Sequence, residues 1–460
     1  MVEICISSYP GLGHLVPLLQ LGERLVSNEP SVRVRIFTQL GFQDEVKLES
    51  HVQPNASIEV RLLARTDLPT IENGMLYSLK DMDGTFSAAA IRYYEDLGSK
   101  PSVVINGQLV GWGEVVAEHF GVPLWVFHAS PAFTIPLYIQ EGATTPPPWR
   151  LTPPPSPDSM QCECSFHERP KPVRIPLLGA IEYDEMPQMP PSPLFEMFVR
   201  SFRGLTKASG ILCNDVDELY NEAMLEFINS AVPVMNIGPL CLADSRLKAA
   251  SSHLSKWLDQ FPANSVVFVS LGSWCDLSAA DVVELAMGLE RCNRPVLWAY
   301  RGRSIQNEHF LQEDRQACCE VDERNLPLGW EPRVSHRVLV APWVNQAAVL
   351  KHPSVGCFIT HCGWNGLLES IAYRGLPVVA IPLAAEQVIN SRLVTDVYHI
   401  GIRVWKSRVL ERLDRDKIVD AINTVMNHGR FRINAHRLHR LASVDNNNKV
   451  QQFLKAIQKS

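Results

Sequence analysis

Residues 343–387 read WVNQAAVLKHPSVGCFITHCGWNGLLESIAYRGLPVVAIPLAAEQ. Two short runs rich in apolar and β-branched residues, 355–361 and 377–381, have the length and composition of buried strands. The segment between them, 364–373, carries apolar residues at helical spacing. Strand, helix and strand in this order are one step of a parallel sheet with a crossover helix. The same rhythm continues on both sides. Strands are expected at 266–271, 295–300 and 337–340, and a helix at 279–291 with Ser278 as its N-cap. Near the start, 4–7 reads as a strand, 11–14 as a turn, 15–27 as a helix and 32–38 as a second strand.

A chain of 460 residues exceeds what one hydrophobic core usually supports, so two α/β domains are expected. Residues 144–193 are dense in proline, excluding regular helix and central strand, and read as long surface loops. Gly238-Pro239-Leu240 closes an apolar strand. The boundaries that follow are a first domain over 1–240, a linker over 241–255 and a second domain over 256–460. A cleft between two such domains is the default binding site.

The segment THCGWNG at 360–366 runs from a strand into a helix N-terminus. Free backbone N–H groups and the positive end of the helix dipole converge there, which suits an anion. Gly363 permits close backbone approach, His361 can donate to a phosphate oxygen, and Asn365 lies in the first turn. Glu369 follows four residues later on the same face, placed to accept from ribose hydroxyls. Trp343, at a strand end, can stack on a flat base with Gln346 beside it. Glu386 and Gln387 follow the last strand and suit sugar hydroxyls.

In their order and spacing these residues resemble the signature box of plant family-one uridine-diphosphate (UDP) sugar glycosyltransferases. SVVFVSLGS (265–273), VLWAYR (296–301), LPLGW (326–330), PGLGHLVPLLQLGERL (10–25) and VVAEHFGVPLWVF (115–127) resemble further landmarks of that family, so the likeness covers nearly the whole chain. It implies two facing doubly wound Rossmann-like domains, the GT-B fold, with the last helix packing back on the first domain. It implies that Trp343, Val344 and Gln346 hold uracil, and Glu369 the ribose. Ser273, His361, Asn365 and Gly366 would hold the diphosphate, and Trp364, Glu386 and Gln387 the sugar, with glucose favoured. His14 would be the general base, and inversion would follow from a single displacement. The partners implied are a UDP-sugar and a small apolar acceptor such as a phenolic or flavonoid. No cofactor and no metal are required, and a cytoplasmic monomer is expected. Competing readings are a catalytically silent relative that binds UDP-sugar, a sterol-directed transferase and a UDP-sugar epimerase.

Four positions depart from the family pattern. Asn106 stands where an Asp usually supports the catalytic His; its carbonyl can still accept the imidazole N–H but carries no charge. Gly366 replaces a Ser or Thr. Tyr373-Arg374 adds a residue before Gly375, where a helix end can absorb it. His128 stands where a Thr often lies near the sugar.

Composition removes other classes. With 43 basic and 49 acidic residues the net charge is −6, and no basic stripe exists to hold nucleic acid. The 11 cysteines are scattered and read as reduced thiols. The first residues lack the features of a leader, and no window is apolar enough to span a membrane. Asp81-Met82-Asp83 and Asp414-Arg415-Asp416 spell a metal-binding triplet but follow no buried strand. Cys162, Cys164 and His167 lack a fourth zinc ligand at suitable spacing. Gly11-Leu12-Gly13 lacks the third glycine of a dinucleotide fingerprint. Cys362 is not expected to be a nucleophile.

Overall fold

The computed structural model describes residues 2–9, 12–38, 57–62, 79–143, 173–181, 185, 201–202, 204–243, 252–272, 277–302, 319–405, 412–443 and 446–459. Packing divides the chain into two units. One comprises Met1–Lys171, Met189–Arg246 and Val444–Ser460, the other Pro172–Gln188 and Leu247–Ser443.

The first unit contains strands β1 (Val2–Ser7), β2 (Val32–Thr38), β3 (Ile58–Leu62), β4 (Val103–Gly107) and β5 (Leu124–His128). A hairpin, β6 (Val173–Ile175) and β7 (Gly179–Ile181), intervenes in sequence before β8 (Ile211–Cys213) and β9 (Val234–Asn236) complete its sheet. The order is β3-β2-β1-β4-β5-β8-β9, with every pair parallel. The second unit has β10 (Val266–Ser270), β11 (Val296–Ala299), β12 (Val338–Ala341), β13 (Val355–Thr360), β14 (Val378–Ala380) and β15 (Gly401–Arg403). Its order is β12-β11-β10-β13-β14-β15, again all parallel.

Both orders are doubly wound, and both reverse direction beside the first strand of the sheet, between β1 and β4 and between β10 and β13. Strands covered on both faces by helices must be apolar throughout, and β4 and β13 are buried at every residue. Helix Ala279–Arg291 starts on Ser278, whose side chain accepts from Asp281 N–H as the sequence predicts.

Three local expectations change. Helix Leu12–Asn28 begins three residues early, so His14 sits in its first turn rather than in a preceding loop. The proline-dense segment is not all loop, because β6 and β7 pair antiparallel. Nor do the first 240 residues form one unit. The hairpin belongs to the second, where the Arg392 guanidinium donates to Leu178 O (2.7 Å) and Ala180 O (2.8 Å) and pairs with Glu185 (3.0 Å).

The last helix, Asn447–Lys459, packs in the first unit. Its Val450, Phe453, Leu454 and Ile457 are buried in the same core as Leu18 and Leu25. Phe453 meets Trp125 edge-on at 5.0 Å and is 1% exposed. Truncating so buried an aromatic leaves a cavity. Phe453→Ala should therefore cost about 3–5 kcal/mol in urea-induced unfolding. A loss below about 1 kcal/mol would show that this helix contributes little to the core.

Candidate functional site

In the second unit the expected donor residues lie where strands end. β13 stops at Thr360, and Trp364–Tyr373 begins four residues later. No side chain caps this helix at Gly363, and helix N-termini present N–H groups that suit an anion. His361 fills the turn between strand and helix. Its ring lies between two glycines, such that a Cβ on Gly272 would come 2.7 Å from His361 Nε2, and one on Gly363 2.5 Å. Gly272 also has φ +81°, open to glycine at no cost. Burial pushes the imidazole down to about 4, partly offset by its hydrogen bond with the Ser270 backbone, so His361 is neutral at pH 7.

Cys362, the next residue, holds φ +63° without being glycine. Its N–H donates to Thr360 Oγ1 at 3.2 Å, and its carbonyl accepts from the buried Asn390 Nδ2 at 2.9 Å. Ala385, beside Glu386, has φ +52°. Backbone held in this sparsely populated region persists only where surrounding structure imposes it. Burial pushes the Cys362 thiol far up, which agrees with its dismissal as a nucleophile.

Trp343 follows β12 and is 49% exposed, while Val344 is buried. Asn345 caps the next helix, Gln346–Lys351, by accepting from Ala348 N–H at 3.1 Å. Gln346 Nε2 donates to Glu369 Oε2 at 2.8 Å, joining two residues expected at one nucleoside. Gly366 leaves room beside this pair, with a Cβ there meeting only Gln346 Nε2 at 3.4 Å. Asn365, like Gly366, is partly exposed in the helix's first turn.

Two of the expected sugar contacts are largely occupied. Trp364 is 2% exposed, leaving its ring almost no surface for a ligand. Gln387 is buried, and its Oε1 accepts from Leu383 N–H (2.9 Å) and Ala384 N–H (3.0 Å), so only its amide nitrogen remains. Glu386, at the N-terminus of helix Gln387–Arg392, stays partly exposed. Ser273 lies outside the described residues, as do Cys162, Cys164 and His167.

The additional residue near Arg374 is absorbed at the helix end. Gly375 N–H closes onto Ser370 and Ile371 carbonyls with φ +64°. The Arg374 guanidinium reaches the carbonyls of His352 and Val355 and the Asn264 side chain, stitching the insertion to the sheet.

In the first unit, Ser7 and Asn106 stand opposite each other on β1 and β4. Here the sequence expectation is corrected, since Asn106 does not accept from His14. Its Oδ1 accepts a hydrogen bond from the Ser7 hydroxyl, and its Nδ2 donates to Val110 O at 3.1 Å. Asparagine fits this slot because it satisfies a donor and an acceptor together, which a carboxylate cannot. His14 Nδ1 is shielded from solvent without a hydrogen-bond partner among the described residues, its ring edge-on to Tyr9 at 5.1 Å. Burial pushes it down to about 4.

His128 ends β5 and is buried. Thr134 spends its hydroxyl proton on Pro131 O (2.7 Å), so His128 Nε2 must donate to Thr134 Oγ1 at 2.9 Å. Its Nδ1 is left as a bare, buried acceptor, and burial lowers its pKa to about 3. The segment after β5 is pinned by Asp215, whose carboxylate accepts from Ala132 N–H, Val216 N–H and Tyr220 O–H, each at 2.7 Å. Sequence reasoning missed Asp215 and Asn390. The signal for Asp215 was an acid directly after a buried strand, in ILCND at 211–215.

Of the metal-like triplets, Asp414 is the N-cap of helix Arg415–Asn427, and Asp416 pairs with Arg291. Asp81 and Asp83 lie in helix Leu79–Asp96. Among the described residues no group of three or more His, Cys, Asp or Glu could hold a metal ion, and no helix is long and apolar enough to cross a membrane.

Two glycines make opposite predictions. Gly366→Ala should stabilise the protein by about 0.5–1 kcal/mol, as expected for alanine over glycine within a helix. Gly363→Ala should displace His361 and weaken UDP binding about 10-fold or more in calorimetric titration. Unchanged affinity in Gly363→Ala would remove His361 from the anion site.

The family model described as UDP-glucoronosyl and UDP-glucosyl transferase matches residues 194–450. Mogroside I-E synthase of Siraitia grosvenorii is 26% identical, with 99% of this chain and 97% of that protein covered. Anthocyanidin 3-O-glucosyltransferase 5 of Manihot esculenta is 28% identical over 92% of this chain and 87% of that protein. A solved transferase from Siraitia grosvenorii, in complex with UDP, shares the fold at a TM-score of 0.74 and 22% identity, with 100% of each chain covered. The protein belongs to the UDP-glucoronosyl and UDP-glucosyl transferase family and is a UDP-sugar-dependent glycosyltransferase of the GT-B fold.

Proposed function

We infer that this transferase moves glucose from UDP-glucose to an oxygen of a small apolar acceptor, with inversion in a single displacement. The observation that carries this reading is the uncapped N-terminus of Trp364–Tyr373 beside the glycine-bracketed His361. When the bond from the anomeric carbon to the β-phosphate oxygen breaks, the leaving diphosphate gains one negative charge. Fixed N–H donors and the helix dipole stabilise that charge without having to reorganise.

Trp343 offers an exposed ring for uracil, and the Gln346–Glu369 pair holds the carboxylate ready for the ribose hydroxyls. Glu386 and the free amide of Gln387 meet the sugar, which supports glucose as the donor. His14 meets the acceptor oxygen on this reading. One relative is an anthocyanidin 3-O-glucosyltransferase and another a mogroside I-E synthase, and a small-molecule acceptor is assigned here by analogy. No metal takes part, because the backbone donors supply the charge stabilisation a divalent ion would otherwise provide. A cytoplasmic monomer completes the reading.

Two measurements test it. UDP-α-glucose should give a product whose anomeric proton coupling reports the β configuration, and an α product would rule out single displacement. Glu369→Ala should weaken UDP binding about 10- to 100-fold, the worth of charge-assisted hydrogen bonds of about 1.5–3 kcal/mol. An affinity within about twofold of the parent would sink the ribose assignment.

A further inference from the structure

Resting on the reading that His14 meets the acceptor oxygen, the protonation of its ring decides which acceptors react. His14 Nδ1 is shielded from solvent and has no hydrogen-bond partner among the described residues. Asn106, the side chain that could fix it, is committed to Ser7 and to Val110. Gly113 keeps it committed, because a Cβ at that position would overlap Asn106 Oδ1 and crowd Ser7 Oγ. The amide occupies the space that the absent side chain leaves.

Which imidazole nitrogen carries the proton is set by the partner of the other. A catalytic base needs its proton on Nδ1, held by an acceptor, so that the Nε2 lone pair faces the substrate. Here that acceptor is missing, and a buried N–H without a partner is the arrangement folded proteins tolerate least. The proton therefore settles on Nε2, and Nδ1 stays bare. In this tautomer Nε2 is a hydrogen-bond donor and cannot take a proton from a hydroxyl. Burial, which lowers the imidazole pKa to about 4, keeps the ring neutral and opposes a second proton.

We propose that this enzyme glycosylates oxygens that arrive already ionised, carboxylates foremost, with His14 Nε2–H holding the oxyanion instead of removing a proton. A carboxylate with a pKa of about 4 is fully ionised at pH 7, whereas a phenol near 10 is ionised to about one part in a thousand. The step is complete without proton transfer. A lone pair of the carboxylate oxygen forms the bond to the anomeric carbon, the bond from that carbon to the β-phosphate oxygen breaks, and its electron pair leaves with UDP. The product is a glycosyl ester.

The test uses the full chain, UDP-glucose and a panel of aromatic hydroxy acids, each offering a carboxylate and a phenolic hydroxyl in one molecule. Hydroxylamine cleaves the ester and spares the phenolic glucoside, so one chromatogram separates the two. At neutral pH the ester is expected to exceed the glucoside by at least 10-fold. His14→Gln, which keeps a donor but no base, is expected to form ester within about 10-fold of the parent. Glucoside as the main product overturns this proposal while leaving glycosyl transfer intact, and so does a loss of about 1000-fold in His14→Gln. Transfer to neither oxygen, with UDP-glucose still bound in titration, overturns the transferase reading and this proposal together.

Discussion

A parallel strand covered by helices on both faces has no side chain to spare for chemistry. β4 and β13 are buried at every residue, so their polar work begins only where they stop. That constraint orders both units. Asn106 is the penultimate residue of β4, His128 ends β5, His361 follows β13, Trp343 follows β12, and Glu386 follows β14 by a short turn. The sheet orders then decide which strand ends become neighbours. In the second unit the reversal lies between β10 and β13, which brings Gly272 against His361. In the first it lies between β1 and β4, which brings Ser7 against Asn106. Open α/β sheets bind their ligands at the carboxyl ends of strands at such a reversal, because helices diverge there and leave a crevice.

The second unit's half of this was legible because its parts are contiguous. Forty-five residues carry a strand end, a turn, a helix N-terminus and a carboxylate one turn along. A backbone anion site needs only that local order, not distant partners. What escaped was set by contacts across long separations. Ser7 and Asn106 lie 99 residues apart, and no local pattern says that their side chains bond to each other rather than Asn106 to His14. Asn390 supports the Cys362 carbonyl from 28 residues away, and Asp215 pins Ala132 across 83. The hairpin at 173–181 was hidden by its proline-rich surroundings, and its attachment depends on Arg392, more than 200 residues later. Gln387 read as a ligand contact because its residue type is right, but an amide just inside a helix N-terminus also satisfies preceding N–H groups, and here it does.

Departures from the family pattern divide by what surrounds them. The added residue at Arg374 costs nothing visible to the site because it sits at a helix end, where a left-handed glycine and three hydrogen bonds take up the slack. Gly366 likewise removes a hydroxyl but keeps the N–H, and the helix end supplies its field through the backbone. Asn106 differs in kind. It stands in a buried network with two definite hydrogen bonds, so exchanging it for Asp would strip Val110 O of its donor and set a charge beside a carbonyl. The residue cannot be restored to the family type without rebuilding its neighbours, which makes the uncharged site a settled property of this chain.

Three imidazoles share that lack of charge. Burial lowers the pKa of His14, His128 and His361 alike, so none carries charge at neutral pH. On the proposed reading, the helix N-terminus contributes positive potential for a diphosphate as fixed dipoles that do not titrate. Turnover limited by donor binding should accordingly be insensitive to pH between about 6 and 8, while any pH dependence in that range belongs to the acceptor. An enzyme built this way divides its labour. On the proposed reading, the protein supplies a constant electrostatic sink for the departing phosphate, and the acceptor brings its own nucleophilicity.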